Sequence, residues 1–327
     1  MALNLVQANN VLTAGLKADF AHTYEETLVS SIENVRQVME LGMGATARTT
    51  PLGYFQSAPY PEYWPYGEDI SEDENDSVGY NVTIRRWAKR IKWLRDDVTD
   101  DQTRTLKQRA IRLGENFGTL HERVLFQLLQ STTDAALLPA IPNAPDGVGV
   151  FSATNAASAA RFGATGGNLL TGNGVADTAS IVRDYYLAIQ QFGTFTDTKG
   201  QPLFDPGIAD RGVMVIHGIG NREIFDRAFH GTIQQGIAAG ISSPLQDTSK
   251  NFKLWPTQRI TDNDWYIALT GSRLKPFAQY EIEGLETTEA DWSNSDEART
   301  QDVGYFQAKA RYGYIPNLPY GILQINN

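Results

Sequence analysis

Apolar positions along this chain recur with helical spacing in its first 130 residues and with a two-residue alternation in its last 80. Between Thr103 and Leu129, the residues Leu106, Ala110, Leu113, Phe117, Leu120, Val124 and Leu128 follow in steps of three and four, one narrow stripe along a helix. With a cap at Thr99 or Asp100 the spacing predicts a rod of roughly 45 Å at 1.5 Å rise per residue. Upstream, Leu3 to Leu41 contains no Pro and Gly only at Gly15. Val6, Val11, Leu12, Leu16 and Phe20, then Leu28, Ile32, Val35 and Met39, predict one or two amphipathic helices there. Gly42, Gly44 and Pro51 end that signal and place a boundary near residue 45.

Beyond the rod, residues 131–176 are rich in Ala, Gly, Asn and Pro and read as a long loop. VADTASIVRDYYLAIQQFG predicts a helix ending at Gly193, GVMVIH a short buried strand, and NREIFDRAFH a helix capped by Asn221. FKLWPTQRI, DWYIALT, LKPFAQYEIEG, VGYFQAKARYGY and YGILQIN are strands, so the tail is mainly β. The class is α+β, with no internal repeat and no linker that divides independent domains.

Two segments between the first helices and the rod carry opposite charge. Pro51 to Asp76 is rich in Tyr, Pro and Trp and holds Glu62, Glu68, Asp69, Glu72, Asp73, Glu74 and Asp76; NVTIRRWAKRIKWLR holds Arg85, Arg86, Lys89, Arg90, Lys92 and Arg95. The basic segment sets Val82, Ile84, Trp87, Ile91, Trp93 and Leu94 among its cations, which predicts a strand without a purely apolar face and outside the core. An isolated hairpin is marginal in water. Trp64, Trp87 and Trp93 are therefore expected to find burial on a neighbouring subunit. There Glu68 and Asp69 would meet Arg85, Arg86 and Arg90 across the boundary and set register and partner choice. A solvated surface hairpin is the competing reading, since exposed ion pairs add only about 0 to 1 kcal/mol each.

The remaining chemistry narrows the function by exclusion. A chain without cysteine has no disulfide, thiolate metal site or cysteine nucleophile, and suits a reducing cytoplasm. A net charge of -10 opposes a surface that grips nucleic acid by counterion release, and no run is long and apolar enough to span a membrane. His22, His121, His217 and His230 show no HExxH or paired spacing. SEDENDSVGY fails as an EF-hand, with Val78 at the turn-glycine position and Ile84 at the bidentate-Glu position. GVMVIHGIGN resembles an anion-binding turn and supports an alternative reading as a cytoplasmic hydrolase using His217 with Ser242 or Ser243; no GxSxG elbow accompanies it. The glycines of GATGGNLLTGNG fit neither a phosphate loop nor a dinucleotide fingerprint. Large structural devices with few catalytic ones point to assembly, whether as a shell or as a tail-tube or filament protein.

The order of a Pro, Gly and aromatic arm (PLGYFQSAPYPEYWPYGED), a returning strand with a double acid (GYNVTIRRWAKRIKWLRDD), the rod, GVGVFSATN, WYIALTGSRLKPFAQYEIE and VGYFQAKARYGY resembles the major head subunit of Mu-like tailed phages. The resemblance covers most of residues 45 to 315 and implies an HK97-type capsid fold. Its parts would be an N-terminal arm (1–46), an extended loop (47–98), a peripheral domain with the spine helix (99–131 plus 270–314) and an axial domain (132–269 plus 315–327). The rod would be a strut: Leu106 through Leu128 seat it against the peripheral sheet while Lys107, Arg112, Glu115 and Glu122 stay polar. Where the family commonly has histidine after the FS turn, this chain has Asn155, so no metal or polar role carries over.

What the resemblance further implies is a structural, non-enzymatic protein without cofactor or metal. It would assemble with itself into hexamers and pentamers of an icosahedral head around double-stranded DNA, without sequence-specific binding or a membrane. A separate scaffolding protein, a portal and a decoration protein are the expected partners, and the virion, assembled in the host cytoplasm, is the expected location.

Overall fold

The computed structural model describes residues 5–55, 77–94, 96–97, 103–145, 147–152, 167–197, 199–204, 207, 212–230, 251–272, 275–290 and 295–327. The first expected helices form one, α1 (Leu5–Val38), which runs into β1 (Met39–Gly44). β2 (Thr49–Phe55) and β3 (Ser77–Thr83) make a separate antiparallel hairpin, followed by β4 (Arg85–Leu94). The rod is α2 (Thr103–Gly118) and α3 (Leu120–Gln130). The backbone ladder continues through the join, since Thr119 N donates to Glu115 O and Arg123 N to Thr119 O, both at 3.0 Å.

All seven residues of the rod's stripe are buried. They share a cluster with Trp87, Ile91 and Trp93 of β4 and with Phe306, Ala308 and Ala310 of β10 (Val303–Pro316). β10 is central in a four-stranded sheet of order β1-β9-β10-β4, with β9 spanning Phe277–Ala290. The other side of the rod holds α1 at close range. A Cβ on Gly114 would lie 2.8 Å from Phe20 O, and one on Gly118 would lie 2.8 Å from Thr27 Cβ. Ser31 Oγ donates to Gly118 O at 2.9 Å. Residues 5–38 therefore lie on their own rod; the expected N-terminal arm is a docked helix over that span.

The second sheet has the order β5-β11-β8-β6-β7, with β5 at Leu169–Thr171, β6 at Val213–Gly218, β7 at Phe252–Thr257, β8 at Trp265–Leu269 and β11 at Ile322–Asn326. α4 (Thr178–Thr194), capped by Asp177, and α5 (Arg222–His230) cover one face of it. Asn221 stands directly before α5, at the end of a 3-10 turn (Ile219–Asn221), and its side-chain amide donates to Asn263 Oδ1 at 3.3 Å. A short helix, α6 (Asp296–Gln301), leads into β10.

The structure corrects the reading of the basic segment. β4 is a core strand, paired with β10 from Leu94↔Val303 to Arg85↔Tyr312. Trp87 is 8% and Trp93 1% exposed within a single copy. Trp87 Nε1 donates to Tyr312 O at 3.2 Å, and the Trp93 indole occupies the place a side chain would take at Gly304, where a Cβ would lie 2.5 Å from the ring. These two tryptophans are buried at home, and residues 85–94 belong to the sheet rather than to the extended loop.

Two consequences can be measured. Gly118→Val pushes α1 off the rod and should lower the unfolding free energy by about 1 to 3 kcal/mol in urea titrations. His121, buried where the rod meets the sheet, pairs through Nδ1 with the Tyr314 hydroxyl at 2.8 Å, and burial holds its pKa down to about 4. The unfolded chain then binds the extra proton first, so stability falls as the pH drops from about 6.5 toward 4, by up to about 3 kcal/mol from this group. His121→Gln should flatten that part of the pH profile relative to the unaltered protein.

Candidate assembly interface

The hairpin β2–β3 belongs to neither large sheet, yet its root is fixed. Val82 and Ile84 are buried with Ala278, Tyr280 and Ile315, and Leu52 and Tyr80 pack against them. Ile84 N donates to Arg48 O at 2.8 Å, and Tyr80 Oη to Asn317 Oδ1 at 3.3 Å. Burial, followed by the neighbouring Tyr280 hydroxyl, pushes the Tyr80 phenol well up. At Gly313 a Cβ would come within 2.7 Å of Ile84 Cδ1, so only glycine lets β10 pass this close to the root. The seven register pairs from Thr49↔Thr83 to Phe55↔Ser77 thus leave the body from a rigid base.

Beside that base lies a cationic sheet edge. Arg86, Lys89, Arg90 and Lys92 are exposed and Arg85 is half-buried. Across the sheet, the cations of β10 are already matched by β9: Arg311 pairs with Glu283 at 2.9 Å and Lys309 with Glu286 at 3.0 Å. The cations of β4 meet no carboxylate among the described residues. Arg90 is nevertheless held in place, since Nε and Nη2 donate to Gln307 Oε1 at 3.1 and 3.0 Å and the guanidinium lies 4.1 Å over the Tyr305 ring. A guanidinium fixed this way has little rotamer freedom left to lose on meeting a carboxylate.

Of the expected contact residues, Arg85, Arg86 and Arg90 all lie on the edge strand β4, Arg86 and Arg90 on its exposed side and Arg85 on the side of Trp87, while Trp87 and Trp93 are buried within the single copy. Trp64, Glu68 and Asp69 lie outside the described residues, as do Ser242, Ser243, Asn155 and most of the acidic stretch considered for calcium. Beside the second sheet, Tyr186 and Leu187 of α4 are 41% and 43% exposed, next to a groove of about 340 Å³ lined by Leu170, Thr171, Gln190 and Ile325. The sequence reading placed both residues on a helix and did not single out their exposure.

His217 is a core residue. It is fully buried on β6, its ring stacks on Phe225 with centroids 4.2 Å apart, and Nδ1 pairs with Gly218 O at 3.0 Å. Burial lowers its pKa and keeps it neutral. An imidazole shut under a phenyl ring cannot reach a substrate, which removes the base from the hydrolase reading. Among the described residues no group of three His, Asp or Glu side chains is placed to hold a metal.

No protein-family model and no curated protein matches the sequence. Among solved structures, the chain is similar to Mycobacterium phage Adephagia at 13% identity and TM-score 0.50, covering 92% of this chain and 89% of that one. It also aligns with the capsid of an empty GTA particle (12% identity, TM-score 0.49, 89% of this chain and 94% of that one). A third alignment is with the procapsid of bacteriophage JBD30 (13% identity, TM-score 0.47, 97% of this chain and 75% of that one). The chain therefore shares the α+β fold of the Adephagia structure, an HK97-type fold.

Proposed function

We propose that this protein is the structural subunit of a closed container, assembling as hexamers and pentamers into an icosahedral phage head around double-stranded DNA. The observation that carries the reading is the HK97-type fold along 92% of the chain. The finer kinship with Mu-like head subunits rests on the order of the sequence motifs. In this reading the hairpin of one copy reaches a neighbour, and the acidic stretch Glu68 to Asp76 meets the cations Arg85, Arg86 and Arg90 of the adjacent sheet edge. Heterologous contacts of this kind close into rings.

The axial unit, with Tyr186 and Leu187, faces the symmetry axes. Scaffolding, portal and decoration proteins are separate partners, the shell matures as a virion after assembly in the host cytoplasm, and the net charge of -10 suits a wall that confines DNA without gripping it.

Removing residues 56–76 while keeping the root tests the reading. The cut stops at Ser77 because Val82 and Ile84 are core residues. The shortened chain should remain a folded, soluble subunit that forms no closed particles in electron micrographs; normal shells from it would end the hairpin's role. Arg86→Glu with Arg90→Glu should leave the melting temperature nearly unchanged and abolish shells at low salt. Helical polymers from the unaltered protein would favour the tail-tube or filament alternative.

A further inference from the structure

We propose that Asn173 and Gly174 form a self-modification site, a deamidation-prone pair that the fold keeps closed with Asp184 and Asn327. The site works in the single chain, whatever the subunit assembles into. Asn173–Gly174 is the one Asn–Gly pair in the sequence. In such a pair the glycine nitrogen, unhindered by a side chain, loses its proton and attacks the asparagine Cγ. That bond forms as the bond from Cγ to Nδ2 breaks and ammonia leaves. Water then opens the resulting succinimide at either carbonyl, giving aspartate or isoaspartate, so one water is consumed for each ammonia released. No enzyme, metal or oxidant takes part.

The turn after β5 calls for this pair at both positions. Gly174 has φ +94°, in the left-handed region that favours glycine. Asn173 answers Asp184 on α4, a carboxylate only 2% exposed. Asn173 N donates to Asp184 Oδ2 at 2.8 Å, and Asn173 Nδ2 donates to Asp184 Oδ1. A buried carboxylate stripped of its donors is costly, so the fold holds on to the amide that would otherwise leave.

The same contacts keep the reaction from starting. Asn173 is itself exposed to water, so its hydrogen bonds rather than burial protect it. With N and Nδ2 on one carboxylate, its side chain is folded back toward its own backbone nitrogen, away from that of Gly174. The nucleophile is held as well, since Gly174 N donates to Asn327 Oδ1 at 2.9 Å. Asn327 is anchored in turn, its N donating to Asp264 Oδ1 at 3.0 Å and its Nδ2 to Asn263 O at 3.3 Å. Closing the ring therefore breaks the hold of Asp184 and that of Asn327 together. The product would set a second carboxylate against Asp184, and one of the two would have to take up a proton or turn to solvent. The change is irreversible and falls where β5 meets β11, beside the bond from Gly172 N to Asn326 O at 2.8 Å, so it would loosen the edge of the second sheet.

Peptide mapping by mass spectrometry, on protein aged in warm, mildly alkaline buffer, follows Asn173 directly. Asn173 should deamidate far more slowly in the folded chain than in the chain unfolded in urea. Asp184→Asn should raise the rate in the folded chain about tenfold and Asn327→Ala about fivefold, the factors expected from losing a hydrogen bond to a charged and to a neutral partner. Asn173→Asp, which imitates the product, should lower the melting temperature; adding Asp184→Asn, which exchanges amide and carboxylate, should restore it. Unchanged rates at Asn173 in both rate variants overturn the proposal, as does a folded chain that ages as fast as the unfolded one, or an exchanged pair no more stable than Asn173→Asp alone. If Asp184→Asn does not fold, Asn327→Ala, at an exposed residue, decides by itself.

Discussion

Burial of the rod's apolar stripe along its whole length is the constraint on which the remaining structure depends. Within a folded protein most of a helix's stabilisation comes from what its apolar face touches. Here two surfaces share the work. The sheet supplies Trp87, Ile91, Trp93 and Phe306, while α1 supplies Leu16 and Phe20. Gly114 and Gly118 let the α1 backbone approach until a methyl group would clash. The sandwich is therefore specified to within a few tenths of an ångström. It also positions the edge that the proposed function uses: the rod packs on β4, β4 leads directly from the hairpin root, and Glu122 on the rod receives Arg259 from the turn after β7.

The parts of this arrangement that the sequence made legible are those written in local spacing. The stripe from Leu106 to Leu128 named the rod and its buried face, and the Pro-free run before Gly42 named α1. The α+β order of elements followed from helical spacing giving way to alternation. The error at β4 has an equally physical origin. Trp87, Ile91 and Trp93 lie on one face, but Lys89 occupies the same face between them and interrupts the pattern. What decides their burial is Gly304 and Tyr312, more than two hundred residues away, and no local reading contains that information. His217 failed in the opposite direction. Its glycine-flanked turn looked like a site, and the ring that covers it, Phe225, belongs to the next helix.

The cationic edge proposed as an interface was legible only in part for the same reason. Blocks of opposite charge are visible in a line of text, so Arg85, Arg86 and Arg90 could be named. Which cations remain unmatched depends on pairing across three strands: β9 supplies carboxylates to Arg311 and Lys309 and none to β4. The ion pairs of Lys253 with Glu33 and of Arg259 with Glu122 had no signature at all, since the partners sit on helices far away in the chain. Ion pairs of this kind are read from coordinates.

The cations of β4 also answer a problem that any self-assembling sheet protein faces. An edge strand presents unpaired N–H and C=O groups and invites another strand to add to it without limit. β4 is such an edge, ten residues long. Like charges on Arg86, Lys89, Arg90 and Lys92 oppose the approach of a second β4, because two such edges would set cation against cation. A carboxylate-rich segment meets no such barrier. In the proposed container, the same residues that would accept a neighbour's acidic stretch would therefore oppose edge-to-edge stacking between identical subunits. That selectivity favours a heterologous contact that turns and closes over a straight, open-ended sheet. Closure would then depend on the angle at which each copy presents its edge, a quantity set by the packed rod.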